Sequence, residues 1–242
     1  MVTHVHIDHV GHIPYLIAAG FKGPIYCSEP SALLLPLVLA DAMRVGVTRN
    51  QQLTERYIKY VKKQLRPLPY EQWLQLEVPG DTPVSIRLQR VGHILGSAWV
   101  ECRVGEGEAS TSVIFSGDLG AKHTPLLVDP DQPEGCDILV LESTYGDCLH
   151  ENREVWLHAL KGVVERALKD KGTVLIPALR VGRTQELLYE LEEIIHQAIQ
   201  SSANIPPPLA GEAGKGNQPT TNTPPPLVGE SEGLNQAAKT SI

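Results

Sequence analysis

The alternation of apolar and polar positions divides the first 200 residues into strand-like and helix-like stretches. A short helix is predicted over Pro14–Ala19, with Pro14 in its first turn and Gly20 ending it. Gly23–Cys27 reads as a short strand, and Ser28 stands where it would cap a helix through Pro30–Arg44. Gln51–Gln64 and Glu71–Leu76 read as helices. Val84–Arg90, Ala98–Val104, Ser112–Phe115 and Asp137–Leu141 carry strand patterns. Glu151–Lys169 is predicted as a long amphipathic helix, with Val155, Ala159, Val163 and Ala167 at turn spacing. Thr173–Ala178 follows as a strand and Arg183–Gln200 as a last helix. The mixture predicts an α/β domain.

The pattern stops near residue 200. Residues 201–242 are rich in Pro, Gly, Asn, Thr and Ser, and PPPLAGE at Pro206–Glu212 recurs as PPPLVGE at Pro224–Glu230. Such a segment buries too little apolar surface to offset its chain entropy, so a solvated Pro-rich tail is expected.

Composition adds a few exclusions. The chain has 242 residues, 42% of them hydrophobic, which rules out wholesale disorder. Its net charge of −7 argues against a basic nucleic-acid wrapper. An acidic chain can still act on nucleic acid through bound cations. Cys27, Cys102, Cys136 and Cys148 are far apart, which speaks against a thiolate zinc site or a disulfide scaffold. No apolar run reaches the length of a membrane span and no signal peptide is visible, so a cytoplasmic protein is expected.

All nine histidines precede residue 197, and four fall within the first twelve residues. Residues 3–12 read T-H-V-H-I-D-H-V-G-H. On an extended segment His4 and His6 project from one face and can reach one metal ion. If the chain turns after them, Asp8 and His9 approach the same pocket and can hold a second ion. A purification tag would be an unbroken histidine run, whereas Val5, Ile7 and Val10 interleave here. His12 falls outside the spacing and is expected to be structural or to support a ligand.

H-x-H-x-D-H followed by G-H-I-P resembles the signature of the metallo-β-lactamase fold, an αββα sandwich. V-G-H-I-L-G-S at Val91–Ser97 and F-S-G-D-L-G at Phe115–Gly120 resemble the positions of its next ligand and its metal-bridging carboxylate. L-E-S-T-Y-G-D at Leu141–Asp147 resembles the first acidic motif of the β-CASP nucleases, the branch that cuts nucleic acids. F-x-G-P-I-Y at Phe21–Tyr26 and V-G-R-T-Q-E-L-L at Val181–Leu188 fit that branch, and the likeness runs to about residue 200.

The resemblance implies that His4, His6 and His93 hold one zinc ion, Asp8 and His9 a second, and that Asp118 bridges them. Asp8 and Glu142 would be catalytic, Glu142 by hydrogen bonding a ligating histidine or assisting proton transfer. Arg183 would contact phosphate, as a weaker assignment. The implied reaction is hydrolysis of an RNA phosphodiester, with DNA as a further substrate, by hydroxide activated between the two metals. The implied domains are a metallo-β-lactamase-like domain over 1–146, the start of a β-CASP domain over 147–200, and the tail over 201–242.

In the family, strands precede the first motif, and two His motifs follow the inserted domain. None of these stands in this sequence, and no histidine lies beyond His196. The chain is therefore expected to be a piece of such an enzyme, truncated at both ends, with exposed strand edges prone to self-association. The alternatives are a catalytically inactive remnant, or a hydrolase of this fold acting on another class of substrate such as a thioester or lactam.

Overall fold

The computed structural model describes residues 1–149, 153–178 and 180–203. The PPPLxGE segment lies outside the described residues. By its contacts the chain divides into two units, 1–200 and 201–242.

Two one-turn-scale helices open the chain, α1 (Ile7–Val10) and α2 (Ile13–Ala18). A first layer follows, made of β1 (Ile25–Ser28), α3 (Glu29–Ala42), α4 (Gln51–Gln64) and β2 (Leu65–Leu68). The second layer is a sheet of β3 (Leu74–Leu76), β4 (Val84–Arg90), β5 (Ala98–Val104), β6 (Thr111–Phe115) and β7 (Ile138–Val140). The last helices are α5 (Arg153–Asp170) and α6 (Arg183–Ala203).

Local chemistry sets several of these boundaries. The Ser28 hydroxyl accepts from the Ser31 amide and caps α3, as its position predicts. Asn50 caps α4 through the Leu53 amide. α3 ends in a wide π turn over Met43–Val47. β1 and β2 pair in parallel, Ile25 opposite Leu65. The five strands lie in chain order β3-β4-β5-β6-β7, antiparallel except for the parallel β6–β7 pair.

The chain start is tied into both sheets. The Val2 amide donates to the Tyr26 carbonyl at 2.8 Å, and the Thr3 carbonyl accepts from the Ala98 amide at 2.8 Å. Val2, Val5 and Val10 are buried with Ile25, Cys27, Leu35, Leu39, Val61 and Ile94. Burial and two-sided hydrogen bonding thus hold the first residues, where an untied terminus would fray.

Three sequence expectations need correction. Glu71–Leu76 is not a helix: Leu74 and Leu76 alternate inward and pair with Ile86 and Val84. Described residues 173–178 form no strand, and Leu175 is almost fully exposed, because among the described residues no neighbouring strand completes a ladder. In α5 the Val155, Ala159 and Val163 side chains face solvent, whereas Ala167 is half-buried along with Leu157, Leu160 and Val164.

Residues Glu29–Val47 are long and apolar enough, by length and composition, to cross a membrane. This also corrects the expectation that no apolar stretch reaches that length; after Glu29 at its start, Asp41 and Arg44 are the charges within it. Here Leu35, Leu39 and Met43 are buried, the first two in the core beneath β1.

Candidate metal centre

Strand direction brings the motifs together. β4, β6 and β7 run the same way, so the loops after them open at one end of the sheet. Those loops carry His93, Asp118 and Glu142. The N-terminal segment reaches the same end through the Thr3–Ala98 hydrogen bond.

His4 and His6 share a face of extended chain, with buried Val5 between them pointing into the core. The chain then turns into α1, whose His9 and Val10 amides donate to the His6 carbonyl. That single turn swings Asp8 and His9 back toward the same cluster. Close packing of two loops completes the frame. The Gly120 amide donates to the Val91 carbonyl at 2.9 Å, and a Cβ on Gly120 would fall 2.0 Å from the Gly92 backbone. Only glycine allows the Asp118 loop to lie this close to the His93 loop.

The ligand atoms converge on one point. His4 Nε2 and His93 Nε2 each lie 3.1 Å from His6 Nδ1. Asp118 Oδ2 is 3.6 Å from His4 Nε2 and 3.5 Å from His93 Nε2. One ligand atom from each of His4, His6, His93 and Asp118 falls within 4.8 Å of all the others. The other oxygen of Asp118 faces the second set: Oδ1 is 3.1 Å from His9 Nε2, which is 3.9 Å from Asp8 Oδ2. Asp118 therefore stands between a three-histidine group and an Asp–His pair.

These residues fit a metal. Burial, then the positive potentials of His9, His93, His6 and Arg180, push the His4 pKa down to about 2. Burial and His6 also lower His93, outweighing Asp118 and Glu142. Neutral imidazoles with lone pairs turned toward a common point, beside a carboxylate, are the donor set of borderline divalent cations.

Glu142 is placed differently from the ligands. Its Oε1 accepts from the Leu119 amide at 2.7 Å and its Oε2 from the Thr144 amide at 3.1 Å. Partial burial raises its pKa, but these bonds and His93 outweigh burial and hold it below the usual carboxylate range. It grips the residue after Asp118. Arg183 faces solvent, and its Nη1 is 3.6 Å from Glu186 Oε2. His12 is exposed at the start of α2, its ring 5.9 Å from that of Tyr15.

Three contributors escaped sequence reasoning. Ser97 Oγ accepts from the His93 and Ile94 amides at 3.0 and 3.1 Å. Arg180 Nη2 lies 3.9 Å from Asp8 Oδ2. The Val181 carbonyl lies 3.0 Å from His6 Nε2. A glycine-flanked histidine motif signals the first of these faintly; the others are a backbone atom and an arginine remote in sequence.

Residues 1–165 match the metallo-beta-lactamase superfamily. The chain belongs to that superfamily. Among relatives, Ribonuclease TTHA0252 of Thermus thermophilus is 35% identical over 87% of this chain and 46% of its own length. Transcription termination factor FttA of Methanocaldococcus jannaschii is 34% identical, over 82% of this chain and 31% of that protein. Integrator complex subunit 11 of Danio rerio is 32% identical, over 79% and 32% respectively. The chain thus spans less than half the length of these curated relatives. The nuclease branch to which Leu141–Asp147 pointed is represented by the first, a ribonuclease by name.

Proposed function

We propose that this chain carries the zinc centre of a β-CASP-type hydrolase that cleaves RNA phosphodiesters in the cytoplasm, with residues 1–146 forming the metal-binding domain and 147–200 the start of the second. The observation that carries the reading is Asp118, whose two oxygens face two separate sets of ligands. Its companion is the name of the Thermus relative, a ribonuclease.

His4, His6 and His93 would hold one zinc ion and Asp8 and His9 another, with Asp118 between them. Bound zinc would supply Lewis acidity toward a phosphoryl oxygen and lower the pKa of water. The protein's own part is orientation. The half-exposed Asp8 carboxylate stands on the open side of the cluster, where it can take up a proton. Glu142 fixes the Asp118 loop through the Leu119 amide. The Arg180 guanidinium, mostly exposed beside Asp8, is positioned to meet a phosphate, with solvent-facing Arg183 a weaker second contact.

The test is cleavage of single-stranded RNA by the full chain, with and without a chelator. Activity that chelator removes, zinc restores, and Asp8→Ala and Asp118→Ala each reduce at least about 100-fold supports the reading. Cleavage that persists in both variants contradicts it. Zinc binding without turnover on any RNA would support the reading of an inactive, metal-binding remnant. Hydrolysis of a lactam or thioester in place of RNA would move the chain to another substrate class.

A further inference from the structure

The loop over Arg180–Gly182 touches the metal centre from a part of the chain far away in sequence. We infer that this loop sets the metal-binding form of His6: the Val181 carbonyl holds the Nε2 proton, so that Nδ1 is the atom presented to the ion. The inference rests on the metal-centre reading above and extends it to Ala178 and residues 180–186.

The hydrogen bond decides the tautomer. A carbonyl oxygen can only accept, so the 3.0 Å contact to Val181 requires the proton on His6 Nε2. A neutral imidazole with a protonated Nε2 has a bare Nδ1. That Nδ1 is the atom lying 3.1 Å from both His4 Nε2 and His93 Nε2. The outer hydrogen bond and the inward lone pair therefore agree. Support of this kind orients a ligating histidine and raises its basicity, and losing it typically costs about 10- to 100-fold in metal affinity.

The loop is built to keep that carbonyl in place. The Thr184 hydroxyl lies 3.3 Å from the Ala178 carbonyl and 3.2 Å from the Arg180 carbonyl, so it can donate to either. The Gly182 amide donates to Gln185 Oε1 at 2.7 Å, and the Gly182 carbonyl accepts from the Glu186 amide at 3.0 Å. Gly182 has φ +97, and a Cβ there would sit 2.6 Å from Ile94 Cγ2, beside His93. Arg180 adds its contact with Asp8. One short loop thus meets His6, the neighbour of His93, and Asp8. This gives V-G-R-T-Q at Val181–Gln185 a physical account: a carbonyl, a glycine forced by close approach, and two side chains that staple the turn.

The test uses the full chain with 15N-labelled histidine. Long-range 15N–1H NMR without added metal reads the His6 tautomer, and chelator competition reads zinc affinity. Wild type is expected to show His6 protonated at Nε2. Gly182→Val should mix the tautomers and weaken zinc binding about 10- to 100-fold. Thr184→Val adds no bulk against Ile94 and should shift both readouts in the same direction by less. Glu101→Ala, on the far side of the sheet, should lower stability without moving the tautomer. If Gly182→Val does not fold, Thr184→Val and Gln185→Leu decide. Wild-type His6 protonated at Nδ1 overturns the inference, as do folded loop variants with unchanged tautomer and zinc affinity within about twofold of wild type. A wild type that binds no zinc but shows the Nε2 tautomer overturns the metal-centre reading and leaves the loop's hold on His6 standing.

Discussion

Ser97 is buried, and its hydroxyl oxygen gathers the amides of His93 and Ile94. Removing the oxygen strands two donors in a dry place, which costs about 1–3 kcal/mol per unsatisfied group before relaxation. Ser97→Ala is therefore expected to lower unfolding stability by about 1–3 kcal/mol in a urea titration. A change below about 0.5 kcal/mol would show that the amides find other acceptors. At this scale the candidate metal-binding residues could be picked out because imidazole and carboxylate side chains announce that chemistry, and H-x-H-x-D-H has a spacing that extended chain followed by a turn can use. Ser97 and Val181 were not legible as support. One is a small hydroxyl in a loop, and the other acts through its backbone oxygen. Glu142 was legible as a motif residue, but its hydrogen bonds to Leu119 and Thr144 could only come from the fold.

Among the elements, those with a private signal were legible. Gln51–Gln64, Val84–Arg90 and Ala98–Val104 have the bounds the pattern predicts. Elements whose state depends on a distant partner were not. Leu65–Leu68 contains Pro67 and carries no strand pattern of its own, yet it pairs in parallel with β1. Leu74–Leu76 became a strand because β4 offers an edge. Residues 173–178 have strand composition but no ladder among the described residues. β7 is the last strand of its sheet, and Ile138, Leu139, Val140 and Leu141 are each about half exposed. An exposed apolar edge strand is a template for a second chain. The protein is expected to self-associate, with a light-scattering mass that rises above 26.4 kDa with concentration. Leu139→Lys should suppress the rise. A wild-type mass that stays at the monomer value across concentrations would contradict this.

For the whole molecule, the α/β class and the order of motifs followed from the sequence, and the superfamily match over residues 1–165 agrees with them. What the sequence could not supply was the packing that joins N-terminal ligands to a loop some 175 residues later through one hydrogen bond. That contact makes the candidate metal centre a property of the first 200 residues together, which form one compact unit. The net charge of −7 is compatible with the proposed function, since bound cations would supply the local positive field for a phosphate. The most direct measurement is zinc content per chain on purified, tag-free protein after dialysis, by elemental analysis, in wild type and Asp118→Ala. The account predicts close to two zinc ions per wild-type chain and a fall to one or fewer when Asp118 is removed. Wild-type protein that is folded yet retains almost no zinc would contradict it.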